Sequence, residues 1–98
     1  MLRKNYSKTG RNCKVTFKYP NEEQAGIAVL AGDFNDWNLD GHEMKRLKNG
    51  SFSVTLSLET GRQYRFRYVL DGKRWVNDLQ ADAYIANTFG SDDSVVHV

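Results

Sequence analysis

A strand followed by a tight turn is encoded in the stretch Gln63-Tyr64-Arg65-Phe66-Arg67-Tyr68-Val69-Leu70-Asp71-Gly72. Its first eight residues alternate between two sets of side chains, and a period of two residues is typical of a half-buried β-strand. The three aromatic residues and Leu70 are therefore predicted on one face, with Arg65, Arg67 and Val69 on the other. Asp71-Gly72 predicts a hairpin turn, because Asp-Gly is a favoured pair where tight turns need positive φ angles.

Similar signals recur on both sides of this strand. Asn49-Gly50 predicts a type I′ turn that leads into an alternating strand. Residues 26–31 form a run of small apolar side chains, which suits a central strand, and a loop of about fifteen residues is expected after residue 76. Short strands separated by turns predict an all-β fold, an immunoglobulin-like antiparallel β-sandwich of about seven to eight strands. The other strands are predicted at 13–19, 43–47, 51–58, 74–76 and 94–98.

The 98 residues are enough for one domain, and their charge is unevenly distributed. We expect residues 1–12 to be a basic, flexible N-terminal arm and residues 13–98 to form a single module. The module has no basic face that favours nucleic acid, and no apolar run is long enough to span a membrane. Without a signal peptide, the cytoplasm is the expected location. Six of the 14 Lys and Arg residues precede the first acidic residue, namely Arg3, Lys4, Lys8, Arg11, Lys14 and Lys18.

Residue patterns typical of catalysis are not found in this sequence. No serine or cysteine nucleophile is placed near His42 or His97 by a recognisable motif. The single cysteine, Cys13, cannot form an internal disulfide or a metal cluster by itself. The acids near Asp33 and Asp36 are interpreted as turn formers, because Asp side chains hydrogen-bond nearby backbone. We therefore expect no catalytic residue, no metal site and no cofactor.

The two tryptophans are the most informative side chains, because each follows a turn. An aromatic ring presented from a loop offers a flat apolar face with a polar N–H edge. Trp37 and Trp75 are thus candidates for stacking on the apolar face of a sugar ring, and Arg65, on the solvent side of its strand, can join them. Packing in the core and a protein-binding surface are the alternatives.

Several ordered motifs together resemble one family. They are Val29-Leu30-Ala31-Gly32-Asp33-Phe34-Asn35-Asp36-Trp37, the stretch 64–72, Trp75-Val76-Asn77-Asp78, and Asn87-Thr88-Phe89-Gly90-Ser91 with the strand that follows. Their order and spacing from about Lys14 to Val98 resemble the isoamylase N-terminal early-set domain, which is the family-48 carbohydrate-binding module. That module also occurs in glycogen branching and debranching enzymes and in the beta subunit of AMP-activated protein kinase. Here it is expected to stand alone.

The resemblance implies an α-glucan-binding surface on the sandwich. In the glycogen-binding members two tryptophans stack on glucose, and Trp37 and Trp75 occupy those positions. Arg65 stands where a basic residue hydrogen-bonds the sugar. Phe89 stands where an apolar residue packs against the glucan, and Ser91 matches a small hydroxyl residue that follows the glycine.

The sequence departs from the family at Asp93, where the binders have asparagine. An ionised carboxylate accepts hydrogen bonds but cannot donate them. Lys73 and Asn77 lie near Trp75 and are additional candidates, although no motif assigns them a role. The implied ligand is glycogen, starch or a maltooligosaccharide.

The implied function is non-catalytic, since the catalytic barrel of the glycoside hydrolases is not part of this sequence. A glycogen-metabolising enzyme is a candidate protein partner, and the chain is expected as a monomer or weak homodimer. In several family enzymes the same module only packs on its barrel. A structural or protein-interaction module that binds no sugar is therefore the alternative.

Overall fold

The computed structural model describes residues 2–98, which form nine β-strands and one short 3₁₀ turn. The first sheet has the strand order β1-β2-β5-β4, and the second has the order β3-β6-β9-β8, with β7 also paired to β6. All these pairings are antiparallel. The strands, numbered in chain order, are β1 (Leu2–Tyr6), β2 (Asn12–Tyr19), β3 (Ala28–Gly32), β4 (Lys45–Arg46), β5 (Phe52–Glu59), β6 (Gln63–Leu70), β7 (Arg74–Val76), β8 (Ala83–Ala86) and β9 (Asp92–His97), and the 3₁₀ turn is Asp33–Asn35.

The core lies between the two sheets. Phe17 on β2 meets Phe66 on β6 edge to face, with 4.9 Å between ring centroids. One step along, Tyr19 and Tyr68 are 5.2 Å apart. Alternate residues of β6 are buried in this cluster, as the period of two predicted. The predicted all-β sandwich is confirmed, with one or two strands more than expected.

One edge of β6 is shared by two strands. Its first half, Gln63–Phe66, pairs with β9, and its last three residues pair with β7. Asn77, which follows β7, joins the two neighbours: it donates to the carbonyl oxygen of Asp92 at 2.9 Å and accepts from the hydroxyl of Ser94 at 2.8 Å. The end of β7 and the start of β9 therefore meet beside the middle of β6.

Part of the predicted N-terminal arm lies in a strand of the first sheet. Residues 2–6 form an edge strand in register with β2, from Leu2 opposite Phe17 to Tyr6 opposite Cys13. The Lys4 ammonium group lies 2.6 Å from the carboxylate of Asp82, which precedes β8 in the other sheet. The two charges are 78 positions apart in sequence, and a flexible arm over residues 1–12 stays a prediction.

Two turns and one loop also refine the predictions. Asp71 and Gly72 both have positive φ, as a type I′ turn requires, whereas at Asn49-Gly50 only Gly50 does. The Gly50 N–H donates to the Leu47 carbonyl at 2.9 Å, so a three-residue loop replaces the expected type I′ turn. The long loop after β7 contains β8, a short strand held by its pairing with β9. No helix in residues 2–98 is long and apolar enough to cross a membrane.

Candidate functional site

An open groove of about 720 Å³ lies on the outward face of the second sheet. Residues directly opposite each other in antiparallel strands point to the same face. Arg65 lies opposite Val95, and Val69 lies opposite Trp75, so the non-core side chains of β6 and Trp75 share this face. The groove is lined by Asp33, Trp37, Arg65, Arg67, Trp75, Asn87, Thr88, Phe89, Ser91 and Asp93.

Trp75 belongs to strand β7, as predicted for residues 74–76, so of the two tryptophans proposed as loop residues only Trp37 lies in a loop. Its backbone pairs with Val69, and Val69 is fully buried although it points away from the core. The indole keeps 38% of its surface exposed. Trp75 is therefore held by a sheet and still presents part of its ring to the groove.

Trp37 is presented by the tight loop that follows β3. Its φ of +58° follows a φ of +53° at Asp36, and a positive φ is uncommon for a bulky residue. The Trp37 N–H donates to the Gly32 carbonyl at 2.9 Å. The Asn35 side chain accepts from the Gly32 N–H at 3.0 Å and donates to the Leu30 carbonyl at 2.9 Å. These bonds stabilise a conformation that costs about 1–3 kcal/mol, and such strain is typical of functional loops.

Gly32 allows this loop to pack closely on β6. A Cβ atom at this position would lie well inside van der Waals contact of the Arg65 carbonyl oxygen and of the Phe34 ring. The Asp33 carboxylate then accepts the Arg65 N–H at 2.9 Å, which joins the start of the 3₁₀ turn to β6. The glycine and aspartate of the motif thus place the Trp37 loop beside the groove.

The two indole rings meet although 38 positions separate them in sequence. Their centroids are 6.4 Å apart and their planes are inclined by 39°. The pair forms a bent aromatic surface on one side of the groove. Such a surface can stack on two flat apolar groups that are themselves inclined to each other.

Two arginines and an aspartate supply polar groups to the floor. A guanidinium nitrogen of Arg65 lies 3.6 Å from the carboxylate of Asp93, a buried residue. Arg67 donates to the Trp75 carbonyl at 3.1 Å and to the Ser91 hydroxyl at 3.4 Å. Its Nε atom is buried and has no hydrogen-bond partner within the described part of the chain. Arg67 therefore joins the Trp75 strand to the loop before β9.

Phe89 is at the tip of the β8–β9 loop, with 92% of its surface exposed. Asn87 organises this loop through its side chain, whose oxygen accepts the N–H groups of Phe89 and Ser91 at 2.9 and 3.2 Å. The Asn87 amide also donates to the Asp93 carboxylate at 3.1 Å. Because Phe89 is so exposed, its position depends mainly on the loop backbone that Asn87 holds.

The structure brings together six of the eight sequence-predicted site residues around the groove: Trp37, Trp75, Arg65, Phe89, Ser91 and Asp93. Lys73 lies in the turn after β6 and does not line the groove. Asn77 uses both side-chain atoms to join β7 to β9 and faces a second cavity.

Four lining residues were not predicted as site residues: Asp33, Arg67, Asn87 and Thr88. Two had a usable signal. Arg67 is two positions from Arg65 on the same strand face, and Asn87 precedes the turn at Gly90. The interaction of Asp33 with β6 depends on the fold and has no local signal.

Two titratable side chains outside the groove, His42 and Tyr68, have structural roles. The His42 ring bonds the Asn35 amide at 2.8 Å and so supports the Trp37 loop. Burial raises the pKa of the Tyr68 hydroxyl. The charge of Asp78 and the 2.7 Å hydrogen bond that Tyr68 donates to the Asp78 carboxylate raise this pKa further. Residues 2–98 contain no group of three His, Cys, Asp or Glu residues placed to hold a metal ion.

Comparison with known proteins is consistent with the motifs. The sequence model of carbohydrate-binding module 48 (isoamylase N-terminal domain) matches residues 5–85. Protein PTST homolog 2, chloroplastic, from Arabidopsis thaliana is 34% identical over 62 residues, which are 63% of this chain and 11% of that protein. The 1,4-alpha-glucan-branching enzyme, chloroplastic/amyloplastic, of Oryza sativa subsp. japonica is 31% identical over 81 residues, which are 71% of this chain and 10% of the enzyme.

These matches cover only part of each relative and only part of this chain. The chain spans only about a tenth of the length of each of these relatives. The family match ends at residue 85, before the loop that carries Phe89 and Ser91. The family match therefore does not include this loop, and its place in the candidate site follows from its position at the groove.

Proposed function

Because the chain belongs to the carbohydrate-binding module 48 family, we propose that its groove binds α-1,4-linked glucan, such as glycogen, starch or a maltooligosaccharide. The family is a class of carbohydrate-binding modules, so the chain is a binding module and not an enzyme. One observation carries the proposal: Trp37 and Trp75 come from distant parts of the sequence and meet with 6.4 Å between ring centroids.

The inclination of the two rings favours a curved chain. A glucose ring has an apolar face of C–H groups that can stack on an indole. Successive glucose units in an α-1,4-glucan are inclined to each other, because the linkage makes the chain curve into a helix. The 39° angle between the planes of Trp37 and Trp75 suits such a chain better than a flat β-1,4-glucan.

The polar groups of the groove suit a neutral ligand with many hydroxyls. Two arginines and two aspartates line it, so their formal charges cancel. A phosphate-rich ligand would favour an excess of positive charge. The guanidinium groups of Arg65 and Arg67 donate, and the carboxylates of Asp33 and Asp93 accept, so each can bond a hydroxyl. Phe89 then packs against the apolar side of the sugar.

Binding is expected to be weak, because the groove is open and its polar groups compete with water. A Kd of about 0.1 mM corresponds to roughly −5.5 kcal/mol. Two stacked rings with a few hydrogen bonds supply that much after the cost of association.

Native affinity electrophoresis through gels with and without glycogen tests the proposal. The wild type should be retarded by glycogen, whereas Trp37→Ala and Trp75→Ala should migrate almost freely. Tyr6→Ala is the matched control, because Tyr6 is an exposed aromatic that does not line the groove. Circular dichroism of each variant should remain that of the wild type.

A wild type that is not retarded would contradict the proposal. The same exposed aromatic groups would then be better explained as a protein-binding surface. The identity of a glycogen-metabolising partner and the monomeric or dimeric state stay predictions. So does a cytoplasmic location, since the two relatives are named as chloroplastic proteins.

A further inference from the structure

A second cavity of about 650 Å³ adjoins the groove at Trp75. Trp75 and Arg67 line both spaces, so the two are neighbours that share one boundary. The second cavity lies between the end of β2 with its following loop and the segment after β7. Its other lining residues include Lys18, Glu22, Glu23, Leu79 and Gln80.

Both spaces combine exposed apolar side chains with charged ones. Leu79 on the second cavity is 88% exposed, as Phe89 on the groove is 92% exposed, and the two lie on opposite sides of Trp75. The second cavity is lined by two basic residues, Lys18 and Arg67, and by three acidic ones, Glu22, Glu23 and Asp78. An apolar wall beside charged donors and acceptors offers stacking and hydrogen bonds to a ligand with hydroxyl groups.

Trp75 is suited to contact a ligand on both sides. It lies on a short strand, and its backbone pairs with Val69 on only one side, because β7 has no further strand beyond it in the described sheet. The Trp75 side chain lines both open spaces and is partly exposed. Arg67 lies at the same boundary, fixed by its bond to the Trp75 carbonyl.

We propose that the second cavity continues the glucan groove, so that one α-glucan chain crosses the boundary at Trp75 and Arg67 and occupies both spaces. A chain that stacks on Trp75 from the groove extends into the next open space along it. This inference rests on the proposed function and adds chain length as the property that the protein selects. A short glucan fills the groove alone, and a longer one also contacts Leu79 and Gln80.

The test compares maltotriose with maltoheptaose by isothermal titration calorimetry and by amide shifts in NMR spectra. The wild type should bind maltoheptaose more tightly than maltotriose, and the amides of Leu79 and Gln80 should shift only with the longer sugar. Leu79→Ser should weaken maltoheptaose binding about fivefold, because one exposed apolar contact is lost, and should leave maltotriose binding unchanged.

Ile27→Ser is the matched control, because Ile27 is a half-exposed aliphatic residue that lines neither space. It should bind both sugars as the wild type does. Leu79 is almost fully exposed, so its replacement should not change the fold, and the thermal unfolding curve checks this.

The outcomes separate the two proposals. If both sugars shift the amides around Phe89 but maltoheptaose binds no more tightly and leaves Leu79 unaffected, the continuation is overturned and the glucan groove stands. An equal loss of affinity for both sugars in Leu79→Ser also overturns it. If neither sugar binds, the proposed function itself fails. A protein that binds at Leu79 while maltoheptaose does not would identify the second cavity as a protein contact.

Discussion

Replacing Trp75 by alanine is the most informative perturbation of the groove. The side chain is 38% exposed on a strand that also covers Val69, so it has a binding surface and a packed surface. The substitution removes one of two stacking rings and leaves Trp37 without its neighbour at 6.4 Å. We therefore expect separate effects on affinity and on stability.

The effect on affinity should be the larger. Truncation of a tryptophan at a binding hot spot typically costs about 2 kcal/mol or more. If the wild type has a Kd of about 0.1 mM, a loss of about 2 kcal/mol raises it roughly thirtyfold, to about 3 mM. The partial packing on Val69 predicts a further loss of about 1–2 kcal/mol in the free energy of unfolding.

Isothermal titration with maltoheptaose and urea unfolding measure the two effects on the same protein. Trp75→Phe should recover part of the affinity, because it keeps an aromatic face. Tyr6→Ala should bind as the wild type does. A Trp75→Ala variant that is folded and binds within twofold of the wild type would refute the stacking argument. An equal loss in Tyr6→Ala would show that the effect is not specific to the groove.

Three further predictions concern the supports of the site. Gly32→Ala should lower the free energy of unfolding by about 3 kcal/mol, because the Cβ atom of the alanine would overlap the Arg65 carbonyl oxygen. Urea unfolding measures this loss, and a loss under about 1 kcal/mol would contradict the close packing. Asn87→Ala should weaken glucan binding about tenfold with a smaller effect on thermal stability, because two N–H groups of the β8–β9 loop lose their acceptor. Unchanged affinity would show that the loop keeps its conformation without the Asn87 side chain. Burial alone would raise the pKa of Asp82, but its bonds to the Lys4 ammonium and to a backbone N–H lower it overall. A lowered folded-state pKa gives stability that is present above the unfolded-state value and lost as pH falls through the folded one. At pH 7 the free energy of unfolding of Lys4→Met should therefore be lower than that of the wild type by up to about 1 kcal/mol, and this difference should vanish well below pH 3.8. An equal difference at both pH values would indicate lost packing of the Lys4 side chain.

The residues of the core were predictable from sequence because burial in a strand has a local signature. Alternation along β6 placed its aromatic residues on one face, and they are buried as expected. The turn at Asp71 was equally local, since both of its φ angles depend on two adjacent residues. Strand β8 had no such signature, because its four residues are held by pairing with β9.

The sequence by itself determined the sandwich, its strand faces and the family, because these depend on side-chain period and on motifs of adjacent residues. The tertiary structure decided which side chains meet. Trp37 and Trp75 meet because β3 and β7 both pair with β6, so that the loop after β3 and the Trp75 side chain border the same groove. Strand pairing also places Arg67 in the groove, because its guanidinium reaches the Trp75 carbonyl on β7 and the Ser91 hydroxyl just before β9. Long-range pairing has no period along the chain, so no local pattern could reveal the shared boundary of the two spaces at Trp75.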